Sequence, residues 1–146
     1  IQAVLSGHGL DNVASRAFGL KVILGGTTLY YTGVPVHASA VGIRFDNSAN
    51  RFSWQLDLRI EATAAAASQF LTGVLVVGAP QTPITGYGAE ETYLSTGEYN
   101  PMHFTSAGRT AVDMASAQVL QVQIEPEVSH ASLEWKMEKA VVAVIG

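Results

Sequence analysis

The chain has 146 residues and a mass of 15.4 kDa, a length at which one domain buries about two-thirds of its unfolded surface and needs no staples. It has no cysteine, which excludes disulfides, thiolate metal sites and a cysteine nucleophile. Eight basic against twelve acidic residues give a net charge of -4 with no Lys/Arg cluster, which argues against a nucleic-acid partner, and a charged fraction of 14% is a sparse solvating coat.

In chain order, residues 2–5 form the first candidate strand, and Gly7-His8-Gly9 reads as a flexible turn that could also approach a ligand. Residues 15–24 and 27–31 are strand candidates around Gly25-Gly26, a pair suited to a tight hairpin turn. Short strands are expected at 36–39 and 42–46, with 46–50 as a turn. The firmest signal runs over 51–64. There Phe52, Trp54, Leu56, Leu58, Ile60 and Ala62 alternate with Ser53, Gln55, Asp57, Arg59, Glu61 and Thr63, the period of a strand with one buried face. The alanines at 64–67 fit one helical turn or a plain loop equally well. Residues 70–77 form the next strand. From 79 to 102 the apolar rhythm stops, and Tyr87, Tyr93 and Tyr99 sit among prolines, glycines and polar residues in one long loop. A strand piece is expected within 104–112. Leu120, Val122 and Ile124 alternate with Gln121, Gln123 and Glu125 before Pro126, which marks a strand end or an edge. The last strand begins with Leu133, Trp135 and Met137 on one face and passes into an unbroken apolar run through Val141, Val142, Val144 and Ile145. A strand that ends apolar on both faces needs cover on both, from its own fold or from a neighbouring subunit.

The pattern predicts an all-β protein, an antiparallel two-sheet jelly-roll sandwich of about eight strands with one long loop, as a single domain over 1–146. No apolar run is long enough to span a bilayer and no basic-then-apolar leader begins the chain, so a soluble protein without a membrane partner is expected. Ile1 in place of Met suggests a processed product or an excised domain.

Chemistry is thinly signalled. His8, His37, His103 and His130 show no paired ligand spacing, and no metal site or cofactor is expected. Asp57 and Glu61 share a strand face, but four strand residues span about 13 Å, beyond the roughly 5–9.5 Å of glycosidase carboxylate pairs. With Arg59 between them, they read as a charge ladder. No nucleophile elbow and no phosphate-binding glycine motif occurs, so the chain is not expected to be an enzyme and no catalytic residue is assigned. Trp54 and Trp135 lie on the apolar phases of their strands and are expected in the core. Tyr87, Tyr93 and Tyr99 are the candidates for a ligand or partner loop, since loop aromatics supply large contact area. Val141, Val142, Val144 and Ile145 are the candidates for an oligomer interface.

The order of features resembles the jelly-roll domains, similar to tumour-necrosis-factor heads, of virion proteins of tailed bacteriophages: capsid decoration or cement proteins, head fibres and fibre tips. The resemblance is carried by Ala17-Phe18-Gly19, Trp54-Gln55-Leu56-Asp57-Leu58-Arg59-Ile60-Glu61-Ala62, Thr72-Gly73-Val74-Leu75-Val76-Val77-Gly78, Val112-Asp113-Met114-Ala115-Ser116-Ala117-Gln118 opening a strand, and Val144-Ile145-Gly146. It implies a homotrimer packed about a threefold axis on a virion surface, contacts to the major capsid or other virion proteins, and no catalytic residues. The expected function is a structural virion protein. The alternative is a carbohydrate- or host-receptor-binding module on the same fold, with a glycan as ligand of the tyrosine loop.

Overall fold

The computed structural model describes residues 1–11, 16–33, 43–45, 48–62, 68–78, 99–114, 116–127 and 133–144, with backbone alone for 11, 16–17, 43–45, 48–51, 99–101 and 133. Nine strands run through these residues, and no helix occurs among them: β1 Gln2–Asp11, β2 Arg16–Leu24, β3 Thr27–Tyr31, β4 Ile43–Phe45, β5 Ser48–Ala62, β6 Gln69–Gly78, β7 Tyr99–Thr105, β8 Leu120–Pro126 and β9 Leu133–Ala143. Every pairing is antiparallel. One sheet has five strands in the order β7-β6-β5-β1-β9. The other is built on β2. Phe18 is paired to Ile43 of β4 and to Pro126 of β8, so β4 lies opposite β8 and shares the remaining edge of β2 with β3. The second sheet holds four strands yet is only three wide.

The alternation that marks β5 in the sequence becomes its two faces. Phe52, Trp54, Leu56, Leu58 and Ile60 are buried while Ser53, Gln55, Arg59 and Glu61 are exposed. Leu71, Leu75 and Val77 of β6, Ala3 of β1 and Phe104 of β7 extend that apolar face. Phe18, Leu20, Val22 and Leu24 of β2 and Leu29 of β3 meet it from the second sheet in one continuous core. Each such side chain removed from water is worth about 1.5–3 kcal/mol before conformational entropy is subtracted. The structure is therefore the two-sheet antiparallel sandwich that the period-two patterning predicts. Its wiring places β5, β6 and β7 side by side as a meander, a departure from the strict sheet-to-sheet alternation of a jelly roll.

Gly25 (φ 56°) and Gly26 (φ 80°) form the expected two-residue hairpin, in which both central residues need positive φ. Several expectations are corrected. Gly7-His8-Gly9 is not a turn: it lies inside β1, opposite Trp54, Ser53 and Phe52, where the absent glycine Cβ atoms leave room for the two rings. The loop expected over 79–102 ends earlier, because residues 99–102 belong to β7, and the strand expected within 104–112 is this one displaced toward the N-terminus. Residues 112–114 and 116–118 lie outside the strands; β8 starts at Leu120, and Gln69 Oε1 accepts the Val112 N–H at 2.7 Å. Ser48–Asn50, expected in a turn, extend β5. The strand expected at 36–39, the alanines at 64–67, His37 and His130 lie outside the described residues.

Candidate functional site: the β9 flank

β9 is the last strand of the five-stranded sheet, hydrogen-bonded to β1 on one side and to no strand on the other among the described residues. Its register shifts between Ser6, opposite Lys139, and Gly7, opposite Met137, leaving Glu138 as the extra residue of a β-bulge. The pairing fixes which way each residue faces. Trp135, Met137, Ala140 and Val142 stand opposite Gly9, Gly7, Leu5 and Ala3 and share the inward phase. Glu134, Lys136, Lys139, Val141 and Ala143 share the outward phase.

Only Trp135 uses its inward position fully. Its ring centroid lies 5.1 Å from Phe52, 5.6 Å from Trp54 and 5.6 Å from Phe18 of the opposing sheet. Farther along, Met137 is 55% exposed and Val142 59%, although both face the side of the sheet that carries the core. At one corner Tyr30 of β3 stacks on Phe104 of β7 at 4.4 Å and at the other Phe18 of β2 reaches Trp135, while the later part of β9 is left uncovered. On the outward phase Val141 is 49% exposed, and Val144, just past the strand, 83%. Of the four residues singled out for assembly, Val141, Val142 and Val144 converge on this flank, and Ile145 lies outside the described residues. Met137, not singled out from the sequence, belongs to the same patch.

The two halves of β9 are protected differently. The first half carries Lys136, Lys139 and the bulge, devices that discourage another chain from adding to an edge. The bulge is held from β1. His8 Nδ1 lies 3.0 Å from Glu138 Oε1 and His8 Nε2 3.7 Å from Glu134 Oε1, while the Trp54 indole donates to the His8 carbonyl at 3.2 Å. The second half, Ala140 to Val144, has no charge and no bulge.

β8 is the other edge of this flank. Leu120, Val122 and Ile124 are half-buried against the core, and Gln121 and Gln123 face solvent. On the outer face of the smaller sheet, the Tyr31 hydroxyl reaches across β2 and donates to Glu125 Oε2 at 2.6 Å. That hydrogen bond, then desolvation and the carboxylate charge, raise the phenol above its ordinary value of 10.0.

The remaining candidates do not assemble into a reaction centre. Asp57, Arg59, Thr72, Val74 and His103 line an open depression of about 440 Å³ on the outer face of the larger sheet. There Arg59 pairs with Glu61 at 2.9 Å and the Gln55 amide donates to Asp57 at 3.2 Å, exposed contacts of small energetic weight. Among the described residues, no group of three or more His, Asp or Glu side chains is arranged to hold a metal ion. Tyr87 and Tyr93 lie outside the described residues, and Tyr99 is placed by its backbone at the start of β7, opposite Gly78. Gln69 is a residue that patterning missed: fully buried, it ties residues 110–112 to the end of β6.

No family model, no curated protein and no solved structure matches this chain.

Proposed function

We propose that this chain is a structural virion subunit, a capsid-decoration or fibre domain that joins copies of itself and neighbouring virion proteins through strand and apolar contacts rather than through catalysis. The observation that carries the self-association is the second half of β9, an unprotected edge strand with Val141, Val142 and Val144 exposed on both faces. An exposed apolar edge of this kind is an aggregation hazard in a free monomer, and a closed oligomer removes the hazard. The virion setting rests on the resemblance of strand order, which also implies a trimer.

The test is solution mass by light scattering across a dilution series, on the full chain and on a chain lacking residues 141–146. A concentration-independent oligomer, at three times 15.4 kDa for the implied trimer, that falls to monomer on truncation supports the reading. A truncated chain that keeps the full assembly mass overturns it, as does a full-length monomer at every concentration.

A further inference from the structure

The three methionines of the chain stand in two environments. Met102 of β7 and Met114, in the stretch before β8, are half-buried against the core, whereas Met137 of β9 is 55% exposed. This exposure is not that of a fraying end. Met137 lies inside β9, opposite Gly7 of β1. Two residues before it the Trp135 ring packs on Phe52 and Trp54, and directly after it Glu138 is held by His8 at 3.0 Å. The backbone is fixed on both sides of a thioether that water reaches.

We propose that Met137 is a site of reversible oxidation to the sulfoxide, and that the modification switches off assembly through the β9 flank. The oxidant is a hydroperoxide, of which hydrogen peroxide is the simplest. A sulfur lone pair attacks one peroxide oxygen, and the S–O bond forms as the O–O bond breaks. The departing hydroxide takes the proton of the transferred hydroxyl and leaves as water, so sulfur gives up two electrons and the peroxide receives them. Reduction runs through a methionine sulfoxide reductase: two thiols are oxidised to a disulfide and the oxygen leaves as water. The chain has no cysteine, so no thiol of its own competes for the oxidant and the reducing thiols come from outside.

The switch follows from what the sulfur does on each side of the reaction. Met137 shares the inward phase of β9 with Val142, and both are exposed on the flank that carries self-association. A thioether is readily buried against apolar neighbours. A sulfoxide carries a strong hydrogen-bond acceptor, and taking it out of water without a donor is costly. Ala140 and Val142, the inward residues that follow, offer no side-chain donor. In the separate chain the same side chain already stands in water, so its oxidation leaves the sandwich folded. Binding and oxidation therefore oppose each other reciprocally: the sulfoxide weakens assembly, and assembly shields the thioether.

This inference rests on assembly through the β9 flank and adds its control. The full chain is oxidised with hydrogen peroxide at low concentration, where separate subunits are present, and then concentrated. Peptide mass spectrometry locates the added oxygen, light scattering gives the assembly mass and circular dichroism follows the fold. Met137 should gain oxygen before Met102 and Met114, and the oxidised chain should stay folded and assemble about 10- to 100-fold more weakly. The reductase with a dithiol should restore the original mass. Met137→Leu should assemble as the wild type does and lose the response to peroxide, while Met137→Gln, polar at the same place, should assemble weakly without any oxidant. Oxidation of Met102 or Met114 ahead of Met137 overturns the proposal. So does a Met137 sulfoxide or a Met137→Gln chain that assembles like the wild type, or a Met137→Leu chain that peroxide still dissociates. Each of these leaves the assembly reading standing, whereas an unoxidised wild type that is monomeric at every concentration overturns both.

Discussion

Three glycines stand directly opposite aromatic residues across the larger sheet: Gly7 opposite Trp54, Gly9 opposite Phe52 and Gly73 opposite Phe104. At each, a Cβ would collide with the partner ring or with the backbone of β9, so the glycine supplies space rather than conformational freedom. This is why Gly7-His8-Gly9 was misread as a turn: glycine signals a turn in one sequence and room for a ring in another, and only the cross-strand partner distinguishes them. Gly73→Ala should cost about 1–3 kcal/mol, since the Phe104 ring that must yield is buried between the sheets. Urea unfolding measures it, and a stability equal to the wild type would show that the ring moves aside freely.

At the scale of elements, β5 was legible because its long alternation meets a single buried face, and Arg59 and Glu61 fell where the period placed them. β7 was not. Pro101 argued for a loop, yet β7 is an edge strand, where a residue lacking an N–H can be accommodated. Residues 110–112 fall within the stretch 104–112 where the sequence suggests a strand piece. They are held instead by an isolated bridge between Gln69 and Thr110 and by the Gln69 side chain. Gln69→Leu leaves the Val112 N–H buried without its acceptor and should destabilise by about 1–3 kcal/mol. The measured quantity is the denaturation midpoint, with a midpoint unchanged from the wild type counting against an anchoring role.

For the whole molecule, the two sheets form one core but differ in width, and that difference sets where the surface is apolar. Arg59, Glu61, Lys136 and Lys139 stand on outward strand positions, while the β9 flank keeps Val142 and Met137 in water. If assembly through this flank belongs to the working state, folding and association are linked. Each tenfold rise in protein concentration then adds about 1.4 kcal/mol for every subunit beyond the first, and the melting temperature climbs with concentration. Calorimetry over a hundredfold range checks this; a constant melting temperature would mean that the sandwich is stable without its partner.

The sequence by itself determined the class of the fold, since period-two alternation and a glycine-rich hairpin turn are local properties that survive any packing. It also marked Val141, Val142 and Val144 as residues needing cover, because an apolar run on both strand faces is unusual wherever it sits. That Met137 joins them emerges only once the two sheets are packed together. Which residues an element buries depends on how far the opposing layer reaches, and the relative width of two sheets is written in no single strand.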